Sequence, residues 1–329
     1  MKTLLLIDAN SLIHRAYHAL PPLTTAEGKP VGAIYGLSSM LLKILKEDKP
    51  DYAAAAFDTP EPTFREGLFK EYKAHRPKTD EELVPQLTEA HNLFQKFRIS
   101  CFEKPGYEAD DVIAALTKKF GTEKDLRIMI LTGDLDTLQL VRKNKIVVKT
   151  PKKGVSETVI YDEAAVEERY GLKPEKLSDY KGLVGDPSDN VPGVPGIGPK
   201  TASRLIQKFG SLEKLYENLK KAGNKFEEKI LENREKAFFS KKLVELQPDI
   251  PLEAVLEKLV PDFSDGNKDL IKYFGELGFQ SLIKRSFSVT AQEIGGGPDE
   301  RKEKKKDAIF ITGGRRLRGE RGNAGFRED

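Results

Sequence analysis

The sequence predicts an α/β protein in which a mainly parallel central sheet, flanked by helices, precedes a smaller helical subdomain. Three short apolar runs have the length and composition of buried strands, at residues 3–7, 52–57 and 127–131. Between them, apolar residues recur at helical spacing over residues 34–45 and 83–97. Strands that alternate with helices are typical of a parallel sheet covered on both faces.

The pattern changes in the second half of the chain. After about residue 173 no further strand pattern is found, and helical spacing continues on both sides of a Gly/Pro-rich stretch at residues 185–199. We therefore predict an α/β domain over residues 1–173 and a helical subdomain over residues 174–288. Residues 289–329 have no apolar period and are rich in charge and glycine, so we expect a disordered basic tail.

Composition limits the class of protein. The net charge of +3 lies in residues 299–329, which carry ten Lys/Arg and seven Asp/Glu. The single cysteine, Cys101, excludes an internal disulfide framework and gives no zinc cluster, which favours a reducing cytoplasm. Asp8 ends the opening apolar run early, and no stretch approaches the roughly 18 apolar residues that span a bilayer. We expect no membrane association.

Carboxylates follow each of the three predicted strands. Asp8 comes directly after the first, Asp58 after the second, and Asp134 and Asp136 after the third. Open α/β sheets bind ligands outside the carboxyl ends of their strands. These acids are therefore expected to converge on one crevice.

Five further acids are candidates for the same crevice. Glu108, Asp110 and Asp111 stand at the start of a predicted helix, where acids ordinarily cap the helix. Asp186 and Asp189 lie in the sequence GDPSDN, where Asx-turn chemistry explains each of them alone. Nine carboxylates in one cleft would repel one another by several kcal/mol unless protons or cations neutralised them.

The donor set indicates which cations these would be. Neither His nor Cys accompanies the acids, so we expect hard, oxygen-liking ions, Mg²⁺ or Mn²⁺. Two such ions roughly 4 Å apart are a known solution for in-line attack on a phosphodiester. The acidic pattern therefore predicts a two-ion phosphodiester hydrolase.

A basic and aromatic segment follows the second strand. Residues 62–78 supply five Lys/Arg and three aromatic side chains, among them Arg65, Tyr72, Lys73 and Arg76. A solvated loop is one interpretation. The other is an element that grips phosphates and stacks on bases. On a helix, Lys73 and Arg76 would share a face and could reach one phosphate.

A second candidate DNA-binding element spans residues 191–202. It resembles a Walker A loop, but Pro199 separates Gly198 from Lys200 and no buried strand precedes it, so we reject nucleotide binding. Gly-x-Gly between two helices instead matches a helix–hairpin–helix, whose glycines let a DNA backbone approach the amides of the next helix. A purely structural turn between helices is the alternative.

Together these residues resemble the 5′ nuclease (flap endonuclease) family, and in particular the 5′→3′ exonuclease domain of bacterial DNA polymerase I. The matching motifs cover residues 1–285 and read LIDANSLIHRAYHAL, AFDTPEPTFR, EYKAHR, PGYEADDVIAAL, LTGDLDTLQLV and YKGLVGDPSDNVPGVPGIGPKTA. The resemblance implies a PIN-like 5′ nuclease fold with a helix–two-turn–helix motif in the helical subdomain.

The resemblance also implies residue roles. The implied ligands of the first metal are Asp8, Asp58, Glu108 and Asp110. Those of the second are Asp134, Asp136 and Asp189, with Asp111 and Asp186 as nearby acids. Lys73 and Arg76 match the catalytic cations at the base of a helical arch at about residues 62–82. The implied DNA contacts are Arg65, Tyr72 (by base stacking), Gly193, Gly196, Gly198, Lys200 and Thr201. In relatives the hairpin motif also holds K⁺.

The implied activity is structure-specific 5′→3′ exonuclease and flap endonuclease cleavage in replication and repair. Branched, nicked or flap duplex DNA would be the partner, with a DNA polymerase acting in trans. We expect a monomer near the bacterial nucleoid. Whether the chain stands alone or is part of a longer polymerase stays open.

Two alternatives come from other classes. A non-catalytic junction-binding module disagrees with the nine acids, since a binder would gain affinity by losing them. A ribonuclease of the related PIN-type fold would share the acids, but the motif at residues 185–202 indicates duplex DNA.

Overall fold

The computed structural model describes residues 1–153, 157–219, 223–262 and 267–286, and the predicted tail at 289–329 lies outside them. The strands in this part are β1 (Lys2–Asp8), β2 (Tyr52–Phe57), β3 (Ser100–Glu103), β4 (Leu126–Leu131), β5 (Ile146–Lys153) and β6 (Glu157–Tyr161). The helices are α1 (Ala9–Ala19), α2 (Gly32–Asp48), α3 (Phe64–Leu68), α4 (Val84–Lys96), α5 (Ala109–Phe120), α6 (Glu163–Tyr170), α7 (Leu177–Val184), α8 (Pro199–Phe209), α9 (Leu212–Asn218), α10 (Lys225–Glu232), α11 (Arg234–Val244), α12 (Lys268–Glu276) and α13 (Gln280–Ser286). Within the described residues, no helix is both long enough and apolar enough to span a bilayer.

The strands form one sheet in the order β3-β2-β1-β4-β5-β6. Strands β1 to β5 run parallel, and β6 pairs antiparallel with β5. The mainly parallel sheet is therefore confirmed, and its three predicted strands are β1, β2 and β4. Sequence reasoning missed β3, which has four residues, β5, whose apolar run is interrupted by Lys149 and Pro151, and the five-residue β6.

Both faces of the sheet are covered, because successive side chains of a strand point to opposite faces. On β1, Leu5 and Ile7 belong to one buried cluster, which contains residues of α1, α2 and α4. Leu4 and Leu6 belong to a second cluster, which contains the apolar face of α5. The carboxyl ends of the parallel strands are left to the loops that carry the acids.

The described buried residues of the predicted helical subdomain, 174–288, do not all belong to one cluster. A separate buried cluster runs from Leu172 to Ala237. Beyond it, Ile250 and Leu259 join the cluster under α5. Helices α12 and α13 pack on the cluster under α2 through Phe274 and Leu282. Described residues on both sides of the gap at 263–266 thus pack on the clusters of the central sheet, through contacts distant in sequence.

Candidate active site

Most of the predicted acids meet in a cleft of about 390 Å³ at the carboxyl ends of the strands. The acids lining this cleft are Asp8, Asp58, Glu108, Asp110 and Asp134. A much smaller cavity beside it shares three of these acids and adds Asp136 and Asp189. Seven of the nine candidates therefore line two neighbouring cavities, whereas Asp111 and Asp186 line neither.

Hydrogen bonds from neighbouring elements orient the acids at the strand ends. Asp8 is the last residue of β1 and caps α1, because its Oδ1 accepts from the Ser11 N–H at 3.0 Å. Its Oδ2 accepts from the Thr132 hydroxyl at 2.6 Å, just beyond β4. Asp58 accepts from the Ala109 N–H at 2.7 Å, which ties the end of β2 to the first turn of α5.

The electrostatics of the cleft call for a cation. Burial, with repulsion from Asp58, raises the pKa of Asp8 to about 7. Burial also raises the pKa of Asp136 to about 7, and burial with repulsion from Asp134 holds the pKa of Asp110 well above its usual range. The buried Oδ1 of Asp110 has no hydrogen-bond partner. Oxygen donors that repel one another in this way fit a hard divalent ion.

Lys73 and Arg76 contact the acids from an irregular segment, so the helix on which they would share a face is not formed. Residues 70–75 form turns and Arg76 lies at a bend. Lys73 has a left-handed backbone with φ +54°, and its N–H donates to the Asp189 carbonyl at 3.0 Å. Its Nζ donates to Glu108 at 2.7 Å, and Arg76 forms an ion pair with Asp189. A left-handed backbone at a lysine costs about 1–2 kcal/mol.

Lys181 is a residue of the site that sequence reasoning missed. It lies on α7, where its Nζ bonds Asp136 and also donates to Asp186 at 2.7 Å. Burial opposes its charge, but Asp136 and Asp186 together raise the pKa of Lys181. The same ammonium lowers the pKa of Asp186 against the effect of burial. The sequence did offer one signal for Lys181, which is a lysine in a largely apolar helix, five positions before Asp186.

The protein's own Lys and Arg side chains already pair with several of the acids. Among the described residues, no three Asp, Glu, His or Cys side chains are already gathered as a metal-binding cluster. Lys73, Arg76 and Lys181 each occupy carboxylate oxygens in the cleft or beside it. These ammonium and guanidinium groups supply part of the neutralising charge, and the acids would have to exchange partners to hold an ion.

Three predicted site residues are buried and do not have their predicted surroundings. Arg65 is 2% exposed and Tyr72 is 5% exposed, so neither can contact DNA here as predicted. The Tyr72 hydroxyl donates to Asp189 at 3.1 Å and lies 3.3 Å from Glu108. Both oxygens of Asp111 accept from Arg65, at 2.6 and 2.9 Å, which removes Asp111 from the candidate metal ligands.

The predicted hairpin joins α7 to α8, with the 3-10 turn Pro187–Asp189 between them. Gly196 is exposed and has φ +79°, which favours glycine, whereas Gly198 is exposed with an ordinary φ of −91°. No side chain caps α8, so the positive end of its dipole faces the hairpin. Gly193 differs from the prediction, because it is buried and its N–H donates to the Ser240 hydroxyl at 3.0 Å.

A basic surface continues from the hairpin along α8. Lys200, Arg204 and Lys208 recur every four residues and are exposed, and α8 contains no acid. Lys229 of α10 lies so close to Gly196 that a Cβ there would come within 2.7 Å of its Nζ. Of these four cations only Lys200 was predicted, because the others are recognised only once the helices are placed.

Comparison with known families accounts for most of the chain. The model of the 5′-3′ exonuclease N-terminal resolvase-like domain matches residues 3–171. The model of the 5′-3′ exonuclease C-terminal SAM fold matches residues 172–266. The boundary between these two models falls within two residues of the predicted boundary at 173.

Two curated relatives have different lengths. The 5′-3′ exonuclease of Aquifex aeolicus is 39% identical over 292 residues, which cover 89% of this chain and 98% of that protein. DNA polymerase I of Bacillus subtilis is 41% identical over 287 residues, which cover 86% of this chain but 32% of that protein. The chain thus spans about a third of the length of its polymerase relatives.

Solved structures share the fold at lower identity. The T5 5′-exonuclease with bound zinc superposes with a TM-score of 0.63 at 22% identity, covering 89% of this chain and 99% of that one. Human GEN1 in complex with Holliday junction DNA has a TM-score of 0.56 at 17% identity, covering 88% and 71%. With the family models and the Aquifex relative, these findings confirm the predicted resemblance, and the chain belongs to the 5′-3′ exonuclease family.

Proposed function

We propose that this chain is a structure-specific nuclease, which acts as a 5′→3′ exonuclease and as a flap endonuclease on branched or nicked duplex DNA. The observation that carries the proposal is the pair of cavities lined by seven carboxylates, with Lys73 and Arg76 beside them. A basic hairpin surface lies on the same chain, which supports a polynucleotide substrate over a small phosphoester.

We assign two divalent ions, Mg²⁺ or Mn²⁺, to the acids. Asp8, Asp58, Glu108 and Asp110 would hold the first, and Asp134, Asp136 and Asp189 the second. When bound, such ions supply Lewis-acid stabilisation and lower the pKa of a bound water. The unpartnered oxygen of Asp110 supports the first assignment. Asp186 is bonded to Lys181 and Ser188, so we give it an outer, supporting role.

Lys73 and Arg76 would act on the phosphate itself. Each is held by a carboxylate of the cleft or of the cavity beside it, so its charge is in place before any substrate enters. Preorganised cations stabilise the negative charge that develops on a scissile phosphate. An ammonium and a guanidinium beside the acids can also bind the ground-state phosphate, which fixes where the backbone is cut.

The hairpin and α8 would hold the duplex arm. Gly196 and Gly198 present exposed backbone beside the N terminus of α8, where anions are favoured. Lys200 and Thr201 lie in its first turn, and Arg204 continues the basic face. From the family resemblance we also propose a K⁺ ion at this hairpin.

The cellular setting is proposed on the same resemblance. The substrate class belongs to replication and repair, where RNA primers and 5′ flaps are removed. We therefore propose a cytoplasmic, nucleoid-associated monomer that works with a DNA polymerase acting in trans. Analytical ultracentrifugation of the chain, alone and with nicked duplex, measures the monomer assignment directly.

The first prediction tests the proposed activity on an end-labelled 5′-flap substrate. In Mg²⁺ the chain should release the flap, and EDTA should stop it. Asp134→Asn should lower the single-turnover rate on the order of a thousandfold, because several kcal/mol of charge stabilisation depend on that carboxylate. Asp249→Asn changes an exposed acid outside the cleft and should cut normally. Metal-independent cutting by Asp134→Asn would contradict the assignment.

The second prediction separates an effect on the cleavage rate from an effect on DNA binding. Lys73→Met should lower the single-turnover rate by roughly two to three orders of magnitude, the scale for a preorganised donor, and change affinity little. Lys208→Met also removes one lysine charge, but from the exposed face of α8. It should weaken binding in a salt-dependent way and leave the rate at saturation unchanged. The same salt-dependent loss in both variants would mean that Lys73 only binds the backbone.

The third prediction tests the hairpin through Gly198. A Cβ at this position meets nothing within 4 Å, so Gly198→Val should fold normally. Its branched side chain would stand where the DNA backbone approaches, and duplex affinity should fall roughly tenfold or more, since one or two lost phosphate contacts are worth about 1.4 kcal/mol or more. Gly275→Val, in equally open space on α12, is the matched control. Unchanged duplex affinity in Gly198→Val would exclude this contact.

The fourth prediction concerns stability, pH and metal. Folded pKa values of Asp8 and Asp136 near 7 exceed the ordinary 3.8. The contribution of these two groups to the free energy of unfolding is therefore fully present below pH 3.8 and is lost as pH rises through 7. The metal-free melting temperature should fall more between pH 5 and 8 in the wild type than in Asp8→Asn/Asp136→Asn. Mg²⁺ should raise it most at high pH, and more in the wild type than in the double variant; equal pH profiles would contradict the raised pKa values of Asp8 and Asp136.

A further inference from the structure

Arg65 is buried, yet all three of its guanidinium nitrogens donate hydrogen bonds. Nη1 and Nη2 donate to the two oxygens of Asp111 at 2.6 and 2.9 Å, and Nη1 lies 3.4 Å from Glu108. Nε donates to the Leu243 carbonyl at 2.7 Å, and Nη2 also donates to the Glu245 carbonyl at 3.1 Å. The side chain thus joins α3, the start of α5 and the end of α11.

Helix α11 also contacts the hairpin. Ser240 is fully buried on α11, and its hydroxyl accepts from the Gly193 N–H at 3.0 Å. Ser240 lies three residues before Leu243, whose carbonyl Arg65 binds, so one turn of the helix carries both contacts. Because α11 packs along α7, which leads into the hairpin, it connects the hairpin to Arg65.

At its other end, the hydrogen-bond network of Arg65 contacts Glu108, one of the acids of the cleft. Glu108 Oε2 is near Arg65 and Tyr72, and the Glu108 N–H donates to Asp111 at 3.2 Å. The Gln247 N–H donates to the same Asp111 at 2.9 Å. A buried ion pair seldom stabilises a fold more than apolar residues would. We therefore infer that the fully hydrogen-bonded pair of Arg65 and Asp111 serves to orient Glu108.

We propose that Arg65 is a positioning residue that couples the hairpin to the cleft. A duplex held at the hairpin would fix α11 through Gly193 and Ser240, and Arg65 would transmit that position to Glu108. The inference rests on the proposed function. Its consequence is that the advantage of a duplex-anchored flap over a single strand depends on Arg65, although Arg65 cannot reach DNA.

The test neutralises the pair without leaving a buried charge. In Arg65→Met/Asp111→Asn, both charges are lost and the amide oxygen still accepts a backbone N–H. The ratio of single-turnover rates, flap over single strand of equal length, should fall at least tenfold. Duplex affinity measured in EDTA should change less than threefold. A ratio equal to that of the wild type in the folded variant overturns the proposal.

A matched control is available on another part of the sheet. Lys149 and Asp48 form a 2.6 Å ion pair with side chains 6% and 17% exposed. Lys149→Met/Asp48→Asn should lower the melting temperature about as much as Arg65→Met/Asp111→Asn does. It should leave the flap-to-single-strand ratio of cleavage rates unchanged. If this control lowers the ratio equally, the effect comes from general destabilisation and the proposal fails. If the wild type cuts no flap, the proposed function fails instead.

A second measurement requires neither cleavage activity nor a bound metal ion. In EDTA, binding of a nicked duplex to the wild type should slow amide hydrogen exchange at residues 108–111, through the coupling to α11. Ser240→Ala, which breaks only the hairpin end of the connection, should abolish this slowing even if the Arg65 variant fails to fold. Slowing of the wild-type size in Ser240→Ala overturns the proposal.

Discussion

Repulsion among carboxylates at one edge of a parallel sheet is the constraint on which the rest of the site depends. Asp8, Asp110 and Asp136 are desolvated beside other acids, which raises the pKa of each. Such groups persist in a fold only if protons or cations neutralise them. Lys73 and Lys181 supply part of that charge from elements outside the sheet. The fold therefore has to bring loops and a second subdomain against the strand ends.

This requirement explains how the basic segment is placed. Its turns dock on the turn that carries Asp189, through the Lys73 N–H and through the Asn190 side chain, which donates to the Glu71 carbonyl at 2.8 Å. Acids thus come from strand ends, from the start of α5 and from the turn Pro187–Asp189, whereas cations come from irregular backbone and α7. Charges of opposite sign on separate elements hold the two subdomains together at the cleft.

Sequence reasoning reached those features whose signals are local. Strand runs, acids at strand ends and the glycine hairpin each depend on a few consecutive residues. The burial of Arg65 and Tyr72 depends on partners 178 and 117 positions away, so a basic, aromatic segment was interpreted as a DNA contact. Strand β5 was missed for a related reason, since Lys149 is buried in it by an ion pair with Asp48. The return of α12 to the α/β domain is equally non-local.

The burial of Tyr72, which excludes the predicted base stacking, accounts for the position of Lys73. Its ring packs with Leu243 and Val244, and its hydroxyl lies between Glu108 and Asp189. The next residue is thereby confined, which offsets the cost of its left-handed backbone. A phosphate entering the cleft would compete with Glu108 for an ammonium group that is already in place. Exchanging one anion for another requires little reorganisation, and electrostatic stabilisation depends on such preorganisation.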